Sequence, residues 1–168
     1  LALPLLEEIG FRLSLKFKPI YLAMSASVIC YYFMTKVIFE TSNSLVDDSF
    51  WIRTGVSLAF GLALFPFLMQ SRISRALQAF WSANFRWIFY FSCFSFALVH
   101  LVNYELTAIN IIMMPLITLP HIIAAVIYGY ARVALGFQYA LLAHAINNSI
   151  FVLMTLLPEG DTIAWVLA

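Results

Sequence analysis

Pro4-Leu5-Leu6-Glu7-Glu8-Ile9-Gly10-Phe11-Arg12 sets two adjacent carboxylates and an arginine inside an otherwise apolar stretch. Read as a helix, it places Glu8 and Arg12 one turn apart on one face, with Glu7 turned roughly 100° round the axis. Glu8 is therefore expected to pair with Arg12, which leaves Glu7 free for other work. Each ionisable side chain in a membrane segment costs about 2.5–3.5 kcal/mol on insertion scales. Such groups line a bundle interior and mark functional sites, so this stretch is the expected centre of the molecule.

The rest of the composition agrees with a membrane setting. Of 168 residues, 64% are hydrophobic and only 10% charged, too little polar surface to cover a soluble globule. Long apolar runs between short charged clusters predict packed helices rather than the alternation of a β-barrel. The expected fold is all-α, a polytopic transmembrane bundle of about six helical segments, with further helices expected upstream of Leu1. Residues 1–168 read as a single intramembrane domain. Cys30 and Cys93 lie in apolar runs and read as small packing residues, not as a disulfide or metal framework. A net charge of +1 and the lack of a Gly-rich phosphate loop give no reason to expect nucleic acid.

Taken in order, a first segment over about 3–16 opens at Pro4, closes at Lys16, Lys18 and Pro19, and is too short to span alone. Spans are expected over about 20–39 and 52–70, the second kinked at Pro66, with the acidic linker Asp47-Asp48 between them. Ser71 to Arg86 carries Arg72, Arg75 and Arg86 with apolar residues at helical spacing, which predicts an amphipathic helix on the membrane surface. A helix over about 87–102 leads to Asn103. The run from Leu106 to Leu135 should bend or break at Pro115 and Pro120, with His121 just beyond, and a last helix runs from Gly136 to about Leu157. Placing Lys16, Lys18, the Arg72–Arg86 loop and Arg132 inside puts Asp47, Asp48, the turn near Glu105 and the tail at Glu159 and Asp161 outside. Glu7, His100 and His144 then fall at similar depths, roughly 12 to 21 Å from the basic ends of their helices.

A single histidine in such a helix is more often a packing residue, but two at matched depth with a spare glutamate are candidates for a shared site. Glu7 is the candidate general base toward water, with His100 helping to hold that water. His144 and Asn148, four residues apart, are candidate donors to an oxyanion. No serine or cysteine stands in a nucleophile setting, which favours direct attack by water. Glu7, His100 and His144 could instead ligate zinc with a water in the fourth position, but the absence of HExxH counts against that alternative. A proton-coupled transporter using the same relay, or a scaffold within a protein partner complex, are the competing readings.

Glu7-Glu8-x-x-x-Arg12, Phe96-x-x-x-His100 and His144-x-x-x-Asn148, in that order and each in an apolar helix, together resemble the CPBP family of intramembrane proteases, whose eukaryotic member is the CAAX prenyl endopeptidase. The resemblance extends through Leu119-Pro120, Gly129, Arg132 and Gly136. It implies an intramembrane endopeptidase without a cofactor, in which Glu7 is the base, His100 its partner, and His144 with Asn148 stabilise the oxyanion. Glu8, Arg12 and Phe96 would support them. It further implies a multi-pass protein of the bacterial inner membrane acting on a membrane-associated peptide or protein. Leu13 after Arg12, where the family often has glycine, and His121, where it often has glutamine, are departures, as are the two hydrophobic segments and basic loop between the first two motifs.

Overall fold

Apolar stretches of this length leave the backbone one way to satisfy its polar groups in lipid, by closing them into helices. The computed structural model describes residues 2–41, 47–101, 104 and 107–156. Among them are seven α-helices and no strand: α1 Ala2–Phe11, α2 Pro19–Phe33, α3 Phe50–Met69, α4 Ser71–Ala83, α5 Phe85–Leu101, α6 Ala108–Ala134 and α7 Phe137–Thr155. A 3-10 turn at Leu13–Leu15 ends the acidic segment, so its helix stops short of the expected 16. A π-helical turn at Met34–Ile38 prolongs α2. Asn103, the turn near Glu105 and the tail with Glu159 and Asp161 lie outside the described residues.

Among the described residues, four segments are long and apolar enough to cross a membrane: Pro19–Ile38, Phe50–Met69, Ala108–Ala134 and Phe137–Thr155. The expected bundle is thus present, with α5 as a shorter apolar helix and α4 carrying the basic connection. Its surface is apolar, and several ionic groups are buried within a largely apolar interior. Leu62, Trp87 and Phe91 are about three-quarters exposed, whereas Glu8, Arg12 and Arg53 are fully buried. Apolar surface is at home against acyl chains, and the polar groups are withdrawn from them. The chain is a membrane protein.

Small residues set the closest approaches. A Cβ on Gly61 in α3 would lie 2.9 Å from Ser27 Cβ in α2. That approach lets the Ser27 hydroxyl donate to the Ser57 carbonyl at 2.6 Å. A Cβ on Gly129 in α6 would lie 2.8 Å from the Phe89 ring of α5. Gly136, at φ 131°, occupies backbone space open to glycine, and there the chain turns from α6 into α7. Cys30 and Cys93 are free thiols, Cys93 within the core beside Phe11, Phe96 and Ala125.

The expected break at Pro115 and Pro120 does not occur, and α6 runs unbroken through both; α3 likewise continues through Pro66. Near the two prolines, side chains of α6 bond back to carbonyls one turn earlier. The Thr118 hydroxyl donates to the Met114 carbonyl at 2.8 Å, and His121 Nδ1 lies 3.2 Å from the Ile117 carbonyl.

The basic clusters gather at one end. Trp81 of α4 donates from its indole to the Ser14 carbonyl at 2.9 Å and packs against Phe17, which brings α4 beside Lys16 and Lys18. Arg132 reaches the same end of α1. Asp47 lies at the opposite end of α2 and α3, near Thr35 and Arg53.

Candidate functional site

The acidic stretch of α1 is fixed against its neighbours through its C-terminal end. Its C-terminus supplies the handle, because the last carbonyls of a helix have no partner within it. Four carbonyls at this end take side chains from three different helices. Ser25 of α2 donates to Ile9 O at 2.7 Å, and Ser92 of α5 donates to Phe11 O. Arg132 of α6 donates from Nε to Arg12 O at 3.2 Å and from Nη2 to Leu13 O at 3.0 Å. The acidic stretch is thereby fixed in depth and rotation.

So held, α1 presents both carboxylates to His144 on α7. Glu8 Oε1 lies 2.9 Å from His144 Nδ1, and Glu7 Oε2 lies 3.4 Å from Nε2. Glu8 also faces Arg12 Nε at 3.8 Å, the pairing expected from their spacing. Glu7 is not turned away from this group as its place on the helix implied. The imidazole lies between the carboxylates and reaches both, one at each nitrogen. Tyr128 stacks on the same ring at 4.7 Å with planes 16° apart, and Phe96 meets it edge-on at 5.8 Å. The Arg12 guanidinium sits 3.9 Å over the Phe96 ring, where the negative π face favours a cation.

His100 lies on the other side of Phe96, at 4.5 Å between rings. Its Nδ1 bonds the Phe96 carbonyl at 2.8 Å, and its ring packs on His121 at 4.4 Å. Glu7, Glu8, Arg12, Phe96, His100 and His144 therefore come together. Asn148, one turn beyond His144, is exposed and outside that cluster. Among the described residues no group of three or more His, Cys, Asp or Glu side chains is disposed to hold a metal ion. His144 has a carboxylate at each nitrogen, while His100 is turned to its own backbone and His121.

Charge balance defines what the cluster can do. Glu7 and Glu8 bring two negative charges and Arg12 one positive, so the group is neutral when it holds one further proton. His144 makes the contacts with both carboxylates, at 3.4 Å to Glu7 and 2.9 Å to Glu8. In low dielectric an uncompensated charge is costly, which favours a cluster of balanced charge. Glu8, fully buried, orients the ring from the other side. This is the logic of a histidine aligned by one carboxylate and poised beside another.

Tyr128, His121 and the carbonyl clamp were not assigned to the site from sequence. Arg132, a cation in an apolar run, was the available signal for the clamp. For Tyr128 there was only its place beside Gly129. The fold and site define a helical membrane protein with a buried glutamate–histidine–arginine centre. No family model, curated protein or solved structure matches the chain.

Proposed function

We propose that this protein is an intramembrane endopeptidase of the CPBP type, hydrolysing a peptide bond in a membrane-associated peptide or protein. The observation that supports it most is His144 held between Glu8 and Glu7 in a buried centre that also contains Arg12. Water attacks the scissile carbonyl carbon as the Glu7–His144 pair takes one of its protons. The tetrahedral oxyanion collapses, the C–N bond breaks, and the same pair returns the proton to the amine nitrogen. The products are a carboxylate and an amine, and no covalent enzyme intermediate forms. Glu8 and Arg12 hold His144 and balance its charge, while His100, across Phe96, faces the reacting water. The basic end lies at the cytoplasmic face of a bacterial inner membrane in this reading.

The test is cleavage of membrane peptides by the purified protein in proteoliposomes, with and without chelator. Cleavage that survives thorough chelation and is lost in His144→Ala supports the proposal. Cleavage abolished by chelator and restored by zinc would replace it with a metalloprotease. A proton flux that depends on Glu7, without cleavage, would replace it with a transporter.

A further inference from the structure

The groove at the basic end is used neither by the α1 clamp nor by the histidine centre. It has a volume of about 460 Å³, and its apolar walls are Leu15, Phe17, Trp81, Phe85 and Val133. These residues come from the turn after α1, from α4, α5 and α6, so the groove exists only where the surface helix docks on the bundle. The Trp81 indole, tied to Ser14 O, fixes one wall.

Cations border these walls in the chain. Lys16 stands between Leu15 and Phe17, Arg86 follows Phe85, and Arg75 lies one turn before Gln78, another lining residue. All three are exposed. The chain has no acidic residue between Glu8 and Glu40 or between Asp48 and Glu105, so neither segment supplies a counter-charge of its own. An apolar slot whose lining residues are flanked in the chain by exposed cations matches a molecule with one apolar tail and an anionic head.

We propose that this groove binds an anionic phospholipid of the adjoining leaflet. One acyl chain lies along Leu15, Phe17, Trp81, Phe85 and Val133, and the phosphate meets Lys16, Arg75 and Arg86. Gln78 and Ser82, both exposed on α4, offer hydrogen bonds at glycerol level. The bound lipid ties α4 to the bundle.

The test keeps Trp81 as the single tryptophan, with Trp51, Trp87 and Trp165 changed to Phe. The full chain is placed in nanodiscs with increasing fractions of bromine-labelled phosphatidylglycerol or phosphatidylcholine, whose acyl bromines quench the indole on contact. Half-maximal quenching is expected at about a tenfold lower fraction of the anionic lipid. The two curves should converge in the Lys16→Gln, Arg75→Gln, Arg86→Gln variant and, without any mutation, at high salt. Equal curves for the unmutated cations, or a preference that survives both treatments, would overturn the proposal. Relief of quenching by excess glycerol phosphate would also overturn it, by showing an anion site that needs no acyl chain.

Discussion

Glu7 and Glu8 are neighbours in the chain with different physical positions. Glu8 is fully buried between Arg12 and His144, so Glu8→Gln strands a guanidinium inside the bundle. Removing one partner of a buried pair costs about 3–5 kcal/mol. Thermal unfolding in detergent should register that loss, whereas Glu7→Gln, at the more open edge of the cluster, should leave unfolding near wild type. Equal destabilisation by the two substitutions would contradict the assignment. Sequence spacing revealed the Glu8–Arg12 pair because both lie on one helix. It did not reveal that Glu7 reaches His144 as well, because helical spacing fixes a direction round one axis and says nothing of the distance to another helix. Tyr128 was hidden for the same reason, as an aromatic residue in an apolar helix reads as core until its ring is found 4.7 Å from an imidazole.

At the scale of elements, α1 depends on side chains donated to its C-terminal carbonyls. Arg132→Leu removes two of those bonds, and hydrogen bonds to charged groups contribute about 1.5–3 kcal/mol each. The expected result is a destabilised protein with reduced activity, although Arg132 does not touch the histidine centre; Ser25→Ala should cost about 1 kcal/mol. Preserved activity and unfolding temperature in Arg132→Leu would refute the clamp. A second test concerns the start of α3, where Asp47 accepts from the Ser49 hydroxyl and amide and from the Thr41 hydroxyl. The Ser49 hydroxyl, then Thr41 and the Ser49 amide, lower its pKa from 3.8 to about 2. Because the folded value is the lower one, its stabilisation is fully present above about pH 4 and is lost as pH falls through about 2. Asp47→Asn should therefore unfold more readily than wild type at neutral pH, with the difference vanishing near pH 2; a gap independent of pH would contradict this. Apolar length and charge punctuation made the spans and the amphipathic α4 legible. Continuity through Pro115 and Pro120 was not, because the cost of a proline depends on how the packed bundle accommodates the carbonyl it leaves free, which spacing along one helix does not show.

For the whole molecule, the burial of ionic groups, the apolar surface and the gathering of basic clusters at one end all follow from composition and charge order. Convergence of three separate motifs on one centre does not, since it requires α1 to be clamped against α2, α5 and α6 while α7 brings His144 to it. If the basic end faces the cytoplasm, Asp48→Cys in a background without Cys30 and Cys93 should react with an impermeant maleimide on intact cells, and Arg75→Cys only after lysis. Labelling of both from one side would contradict a span between them. The central claim is that Glu7, beside His144, carries the hydrolytic proton while Glu8 holds the centre together. Its most direct test is the cleavage rate of Glu7→Gln in the presence of chelator, per mole of folded protein. The account predicts a fall of about 10²–10⁴-fold with an unchanged unfolding temperature; a rate within a few-fold of wild type would contradict it.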